Sequence, residues 1–323
     1  MLNQLDLLDR KILYELDINS RQPITILARK LHTKRNIIEY RIKRLQEKGI
    51  IKHFVTLLDA EKLGLTIWNV YLQFQDINSK LEKQIISYLK KDNKVWWIAQ
   101  TTGKYDLIYS IYIKNIREFY DIVRSFNLKF GKHILKQDIV AHVEVDLFSR
   151  GYFLNKPSVG VKWSKRSEKV ELDEMDKKIL KQLSTNARLS SVELATNLKT
   201  TARIVSYRIN ELQKKGVITR FRLELDVKKL GYSFYKVIIY LKNFSKEQDN
   251  DLSEYCKNLG HVFHYERKIG SWMLELEMDI ENYESANQLM KKMKETFPNY
   301  IKNYDLMLIT NEPEGELDLT KQF

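Results

Sequence analysis

Lys34, Arg35 and Asn36 stand together just ahead of Ile38, Ile42 and Leu45, three apolar residues at helical spacing. An arginine can fork onto guanine and an asparagine onto adenine, so this trio suits the tip of a DNA-reading helix. Arg41, Lys43, Arg44 and Lys48 follow, where cations would meet phosphates and fix register without reading sequence. The layout returns 167 residues later as Thr201, Ala202 and Arg203, then Arg208, Lys214 and Lys215. There Asn210 and Glu211 replace Lys43 and Arg44, so the two tips should prefer different bases and the first should grip phosphate harder. A solvated helix face would carry similar residues. Retention of Tyr40/Tyr207, Arg41/Arg208 and Lys48/Lys215 argues against that alternative, although both tyrosines equally suit packing.

The elements that hold these tips are themselves duplicated. Leu5–Gly64 aligns without a gap on Leu172–Gly231, and 28 of the 60 positions are identical. A unit this large is a repeated pair of domains and not a solenoid. Asp6 is placed to cap a first helix carrying Leu8, Ile12, Leu13 and Leu16, echoed by Asp173, Met175, Ile179, Leu180 and Leu183. A short second helix carries Leu27 and Leu31, matched by Leu194 and Leu198. Thr33 and Thr200 are the expected N-caps of the third helix, and Gly49 and Gly216 its ends. Residues 50–58 and 217–225 read as a strand or wing. The sum is a winged helix–turn–helix in each copy.

After each head the spacing changes. Strand, helix, two strands meeting at Gly103-Lys104, helix and strand follow, the β-α-β-β-α-β order of a ferredoxin-like domain. The expected fold class is α+β, with two copies of a winged helix–turn–helix followed by a ferredoxin-like domain. The expected divisions are 1–64 and 65–149, a linker at 150–171, 172–231 and 232–311, and a tail at 312–323. The linker is read as an open tether and the tail as loose.

The formal net charge of +13 is unevenly spread. Residues 1–167 carry +13 and residues 168–323 none, yet the two heads carry +5 and +6, and residues 232–323 carry −5. Positive charge concentrated on the heads suits phosphate. The lone Cys256 excludes an intramolecular disulfide and a multi-cysteine zinc site. With the basic pI and no signal-like start or long apolar run, a cytoplasmic protein away from membranes is expected. His261 and His264, three apart on a strand, would face opposite ways and make a poor metal pair, so no metal or cofactor is expected.

The Leu-Asp-x-x-Asp-x-x-Ile-Leu opening, the Tyr-Arg-Ile-x-x-Leu-x-x-x-Gly-x-Ile run, and Leu58-Asp59…Lys62-Leu63-Gly64 with its copy at Leu225–Gly231 resemble the Lrp/AsnC regulators. The resemblance covers nearly the whole chain twice, like tandem versions found in archaea. It implies a DNA-binding transcriptional regulator, not an enzyme, whose partner is double-stranded DNA. It also implies an amino-acid effector near the family's Gly-x-(Tyr/Phe)-Asp turn, here Gly103, Tyr105 and Asp106. The second copy has Gly270, Trp272 and Met273 and lacks the acid, so the first copy is the expected sensor and the second the expected assembly partner. The ferredoxin-like domains would pair internally as a pseudo-dimer, or between chains. Trp68, Tyr71, Tyr109, Tyr112, Tyr235 and Tyr240 are candidates for that interface, with intradomain core as the alternative. Two other functions remain open. Sirohaem decarboxylases resemble the same fold, and His264-Tyr265-Glu266-Arg267 is faintly like their residues. The other is an effector-independent architectural DNA-binding protein.

Overall fold

The computed structural model describes residues 5–164, 168–242, 245–313 and 320. The first head comprises α1 (Leu7–Ile18), α2 (Ile24–Lys30), α3 (Arg35–Glu47) and β1 (Ile51–Leu58). Asp6 caps α1 by accepting from the Asp9 amide at 2.9 Å, as Asp173 does for the second head. The residue flanking α3 is Lys34, not Thr33. Its counterpart in the second head is Thr201, which accepts from the Ile204 amide and displaces Thr200 from the expected cap. The second head is α6 (Glu174–Thr185), α7 (Ser191–Leu198), α8 (Ala202–Lys214) and β7 (Ile218–Leu225).

Neither β1 nor β7 is a free wing. They pair antiparallel with each other, Phe54 opposite Leu223, into one ribbon that joins the heads. The apolar sides of both heads then merge into one core containing Ile12, Leu45, Phe54, Ile179, Leu212 and Phe221.

The remaining strands are β2 (Thr66–Phe74), β3 (Val95–Thr102), β4 (Leu107–Ile113) and β5 (Ile134–Phe148) in the first copy. In the second they are β8 (Ser233–Leu241), β9 (Val262–Gly270), β10 (Leu274–Ile280) and β11 (Ile301–Asn311). Hydrogen bonding runs β2-β4-β3-β11-β8-β10-β9-β5 and returns from β5 to β2, a closed ring of eight. Closure is reciprocal: each copy's edge strand, β3 or β9, pairs with the last strand of the other copy. A ring leaves no unpaired edge to template aggregation. Helices α4 (Ser79–Lys90) and α5 (Ile116–Phe130), then α9 (Lys246–Leu259) and α10 (Tyr283–Thr296), cover the outside. Alternation along each strand sends Val70 and Leu72 toward the helices and Tyr71 into the ring.

The expected tether is largely built in. Arg150, Tyr152 and Phe153 are buried, and a strand β6 (Gly160–Ser164) adds to β5. Trp163 donates its indole N–H to the Leu58 carbonyl at 2.9 Å. Apolar side chains in this segment outweigh its polar run, which is why composition alone misread it. Of the expected tail, residues 314–319 and 321–323 lie outside the described residues. Among the described residues no helix is long and apolar enough to cross a membrane.

Candidate nucleic-acid interface

Helices α3 and α8 bury one stripe each, Ile38, Ile42 and Leu45 in one and Val205, Ile209 and Leu212 in the other. Their opposite faces are open. Lys34, Arg35, Asn36, Lys43 and Lys48 are exposed, as are Arg203, Lys214 and Lys215. Tyr40 and Tyr207 are each 64% exposed, which excludes them from the core. Arg35 pairs with Glu39 at 2.8 Å and Lys214 with Glu211 at 2.8 Å, both on the surface, where such pairs yield easily to a stronger anion.

Three of the expected phosphate ligands have internal partners. Arg41 binds Asp6 and, at 2.9 Å, Asp9; Arg44 also binds Asp9, whose carboxylate is buried. Arg208 binds Asp173 at 2.6 Å and Asp176 at 2.8 Å. These pairs tie each third helix to the first turn of its first helix. The hydrogen bond to Asp6 comes first in holding the Arg41 guanidinium above its usual pKa, and Arg208 is held likewise by Asp173. Retention of Arg41 and Arg208 across the duplication therefore reports the fold of the head as much as its ligand.

The heads are clamped back to back by mirrored contacts. The Ser20 amide donates to the Phe221 carbonyl at 3.0 Å and the Ala187 amide to the Phe54 carbonyl at 2.9 Å. Their relative placement is thus set by backbone bonds and not by a flexible joint.

The turn expected to hold an effector has a different environment from the one expected. Tyr105 is buried with its hydroxyl on Asp138, while Asp106 is exposed and accepts from the Phe74 amide at 2.7 Å. The Asp106 carboxylate thus already braces β2. Gly103 and Gly270 have φ of 136°, and a Cβ would lie 3.0 Å from the Leu306 carbonyl oxygen at the first and 2.3 Å from that of Ile139 at the second. Each glycine lets its hairpin seat against the other copy. The aromatic candidates divide by face: Tyr71 and Tyr240 reach across copies, to Glu275 and Lys104, whereas Trp68, Tyr109 and Tyr235 pack under their own helices.

Sequence reasoning missed the charges inside the ring. Lys236 is buried among Glu266 at 3.2 Å, Glu275 at 3.0 Å and Glu277 at 2.6 Å, and Lys268 sits 2.8 Å from Glu266. At the equivalent positions the first copy has Asn69, Ala99, Ile108, Ser110 and Thr101. The second copy thus holds buried charges that the first lacks. The signal was present as Leu-Glu-Leu-Glu-Met-Asp-Ile over residues 274–280, but alternating acids ordinarily mark a solvated face. His264, Glu266 and Glu277 bring three potential metal ligands within 4.8 Å. Arg222 donates to His264 Nε2 at 3.1 Å, so the neutral ring carries its proton on Nδ1, 2.6 Å from Glu277, and offers no lone pair there. Lys236 meanwhile bonds both carboxylates, and the group belongs to a buried ion-pair cluster.

Residues 5–46 match the AsnC-type helix–turn–helix domain, and residues 172–219 match a winged helix–turn–helix DNA-binding family. An uncharacterised HTH-type transcriptional regulator of Pyrococcus abyssi is 33% identical over 120 residues, 37% of this chain and 80% of that protein. The HTH-type transcriptional regulator FL11 of Pyrococcus furiosus is 33% identical over 136 residues, 41% of this chain and 87% of that protein. Each of these relatives corresponds to one of the two repeats. The crystal structure of the sirohaem decarboxylase NirDL matches at a TM-score of 0.63 and 16% identity, over 95% of this chain and 92% of that one. That likeness is one of fold, and it extends to the whole double arrangement.

Proposed function

This chain belongs to the Lrp/AsnC family of helix–turn–helix transcriptional regulators, and on that premise we propose that it reads DNA with two unlike heads carried on one polypeptide. The observation that carries the reading is the open face of α3 and α8 beside basic residues, on heads locked together by the β1/β7 ribbon. Arg35 and Asn36 in one head and Arg203 in the other are assigned to base edges. Lys34, Lys43, Lys48, Lys214 and Lys215 are assigned to phosphates. Arg41, Arg44 and Arg208 act chiefly by positioning the reading helices. The reciprocal strand exchange supports a chain that serves as its own dimer. The Gly103–Tyr105–Asp106 turn is assigned to assembly in place of an amino-acid site, because its groups already have partners. The site of action is the cytoplasm.

The enzyme alternative rests on a fold likeness at 16% identity, and fold does not set function. We propose no catalytic role. Fluorescence anisotropy with a duplex over a salt series tests the reading. Affinity should fall steeply as salt rises, because each phosphate contact releases counterions. Lys43→Glu should weaken binding to every sequence, and Asn36→Ala should alter preference at single bases by about 1–3 kcal/mol. A flat salt response, or tetrapyrrole absorbance in the purified protein without DNA retention, would overturn it.

A further inference from the structure

A cavity of 340 Å³ lies between the β1/β7 ribbon and the open end of the strand ring, near the pseudo-two-fold axis. It is at the low end of ligand-pocket size, roughly 300–1,000 Å³, with room for a small bicyclic ring system. Trp96, Trp97, Trp163, Phe234 and Phe263 contribute its aromatic wall.

Three ring nitrogens of lining residues are buried without a hydrogen-bond partner, Trp96 Nε1, His142 Nδ1 and His264 Nδ1; the last lies 2.6 Å from a Glu277 carboxylate oxygen, which leaves Trp96 Nε1 and His142 Nδ1 in want of an acceptor. The tautomer of His142 follows from its neighbours. His142 Nε2 lies 2.6 Å from Lys268 Nζ and 3.1 Å from Asn69 Oδ1; the ammonium, a donor only and the nearer of the two, takes the Nε2 lone pair, and Nδ1 keeps the proton. Burial, then the Lys268 ammonium, pushes the His142 pKa well below its usual 6.5, which keeps the ring uncharged. Buried donors without partners are rare in folded proteins and call for an acceptor.

The deep charges call for none. Lys236 has its three glutamates; Arg150 has Asp17 at 2.9 Å and Asp279 at 2.6 Å; Arg222 has Asp17 at 3.1 Å. A charged guest would lose its hydration and meet no unpaired counter-charge. The exposed rim carries both signs, with Lys52 and Lys228 as well as Glu312, so neither anion nor cation is favoured there.

We infer that this cavity binds a small, flat, uncharged heteroaromatic or conjugated-carbonyl molecule, which accepts hydrogen bonds from Trp96 Nε1 and His142 Nδ1 and stacks against the surrounding rings. The site occurs once per chain, since the equivalents of Trp96 and His142 are Phe263 and Ile309, which donate nothing. It is distinct from the Gly103–Asp106 turn and does not depend on DNA binding.

The test is calorimetric titration of hypoxanthine and 2-quinolone into the full-length protein, with quinoline-2-carboxylate as charged comparator. At least one neutral compound should bind at one per chain, with an affinity about tenfold or more above the carboxylate. Trp96→Phe and His142→Leu should each lower that affinity about tenfold while the protein remains folded by circular dichroism. The neutral-against-charged comparison uses the unaltered protein and decides even where a variant does not fold. Absence of binding by both neutral compounds below millimolar concentration, tighter binding of the carboxylate, or affinity unmoved in both folded variants would each overturn the inference.

Discussion

Arg21 and Arg188 stand 167 positions apart and make one contact twice, in opposite directions. Arg21 Nη1 donates to the Ala187 and Leu189 carbonyls, each at 2.6 Å, and Arg188 Nη1 donates to the Ser20 carbonyl. Each guanidinium also lies over an aromatic ring of the ribbon, Arg21 on Phe221 at 5.5 Å and Arg188 on Phe54 at 5.4 Å. The cations therefore act between the heads and not toward a ligand. Replacing either by Ala removes a charged donor from partly buried carbonyls, a loss of about 1.5–3 kcal/mol. Urea unfolding should show that loss for each variant, and faster amide exchange at Phe54 and Phe221 should accompany it.

Arg41 and Lys43 lie two positions apart on α3 but serve different ends. Arg41→Ala deprives buried Asp9 of one of its two cations and should lower stability by about 1–3 kcal/mol. Lys43→Glu touches only solvent and Glu47 at 3.8 Å, so stability should stay within about 0.5 kcal/mol while DNA affinity falls. Chemical denaturation and anisotropy on the same two proteins separate the roles. Equal stability of both variants would return Arg41 to the phosphate-contacting set.

Much of this was legible before the fold was known. Asp6, Leu8 and Ile12 announce the first helix, and the 167-residue offset carries every element from one copy to the other. What was not legible depends on contacts between copies. Nothing local tells Ile51 to pair with Leu225, so the strands after the heads read as wings. Nor can period-two alternation distinguish water from the inside of a closed ring, so Glu275 and Glu277 read as surface residues. Arg41 looked like a phosphate ligand because its partner Asp6 is 35 residues away in sequence.

Lys236→Met should be among the most damaging single changes. It leaves Glu266, Glu275 and Glu277 with their buried charges under-compensated, a destabilisation of about 3–5 kcal/mol. Adding Glu277→Gln should recover part of the loss. The equivalent first-copy change, Asn69→Met, should cost less, since no carboxylate depends on it. Thermal denaturation of the three proteins gives the order directly.

Acid should destabilise the protein in two stages. Burial lowers the His142 pKa below 6.5, with Lys268 adding to the effect. The unfolded chain thus takes up a proton below about pH 6.5 that the folded chain refuses, and this part of the stability is lost as pH falls below that point. Burial, the largest influence, would raise the Glu266 and Glu277 carboxyls, but Lys236 together with Lys268 at Glu266 and His264 at Glu277 outweighs it and holds both below their usual 4.5. Their contribution is full above pH 4.5 and is lost as pH falls through the folded values. Melting temperature against pH should therefore decline from about 6.5 and more steeply below 4.5, and His142→Leu should remove the first stage.

The central claim is that one chain presents two unlike heads at a fixed separation. A binding site selected from random duplexes should contain two different half-sites, about one helical turn apart or a multiple of it. The most direct measurement is affinity for that site as base pairs are inserted between the halves. Because β1 and β7 hold the heads rigidly, an insertion of about five base pairs, half a turn, should reduce affinity to that of a single half-site, and about ten should restore part of it. Affinity indifferent to the insertion, or a selected site with two identical halves, would contradict the account.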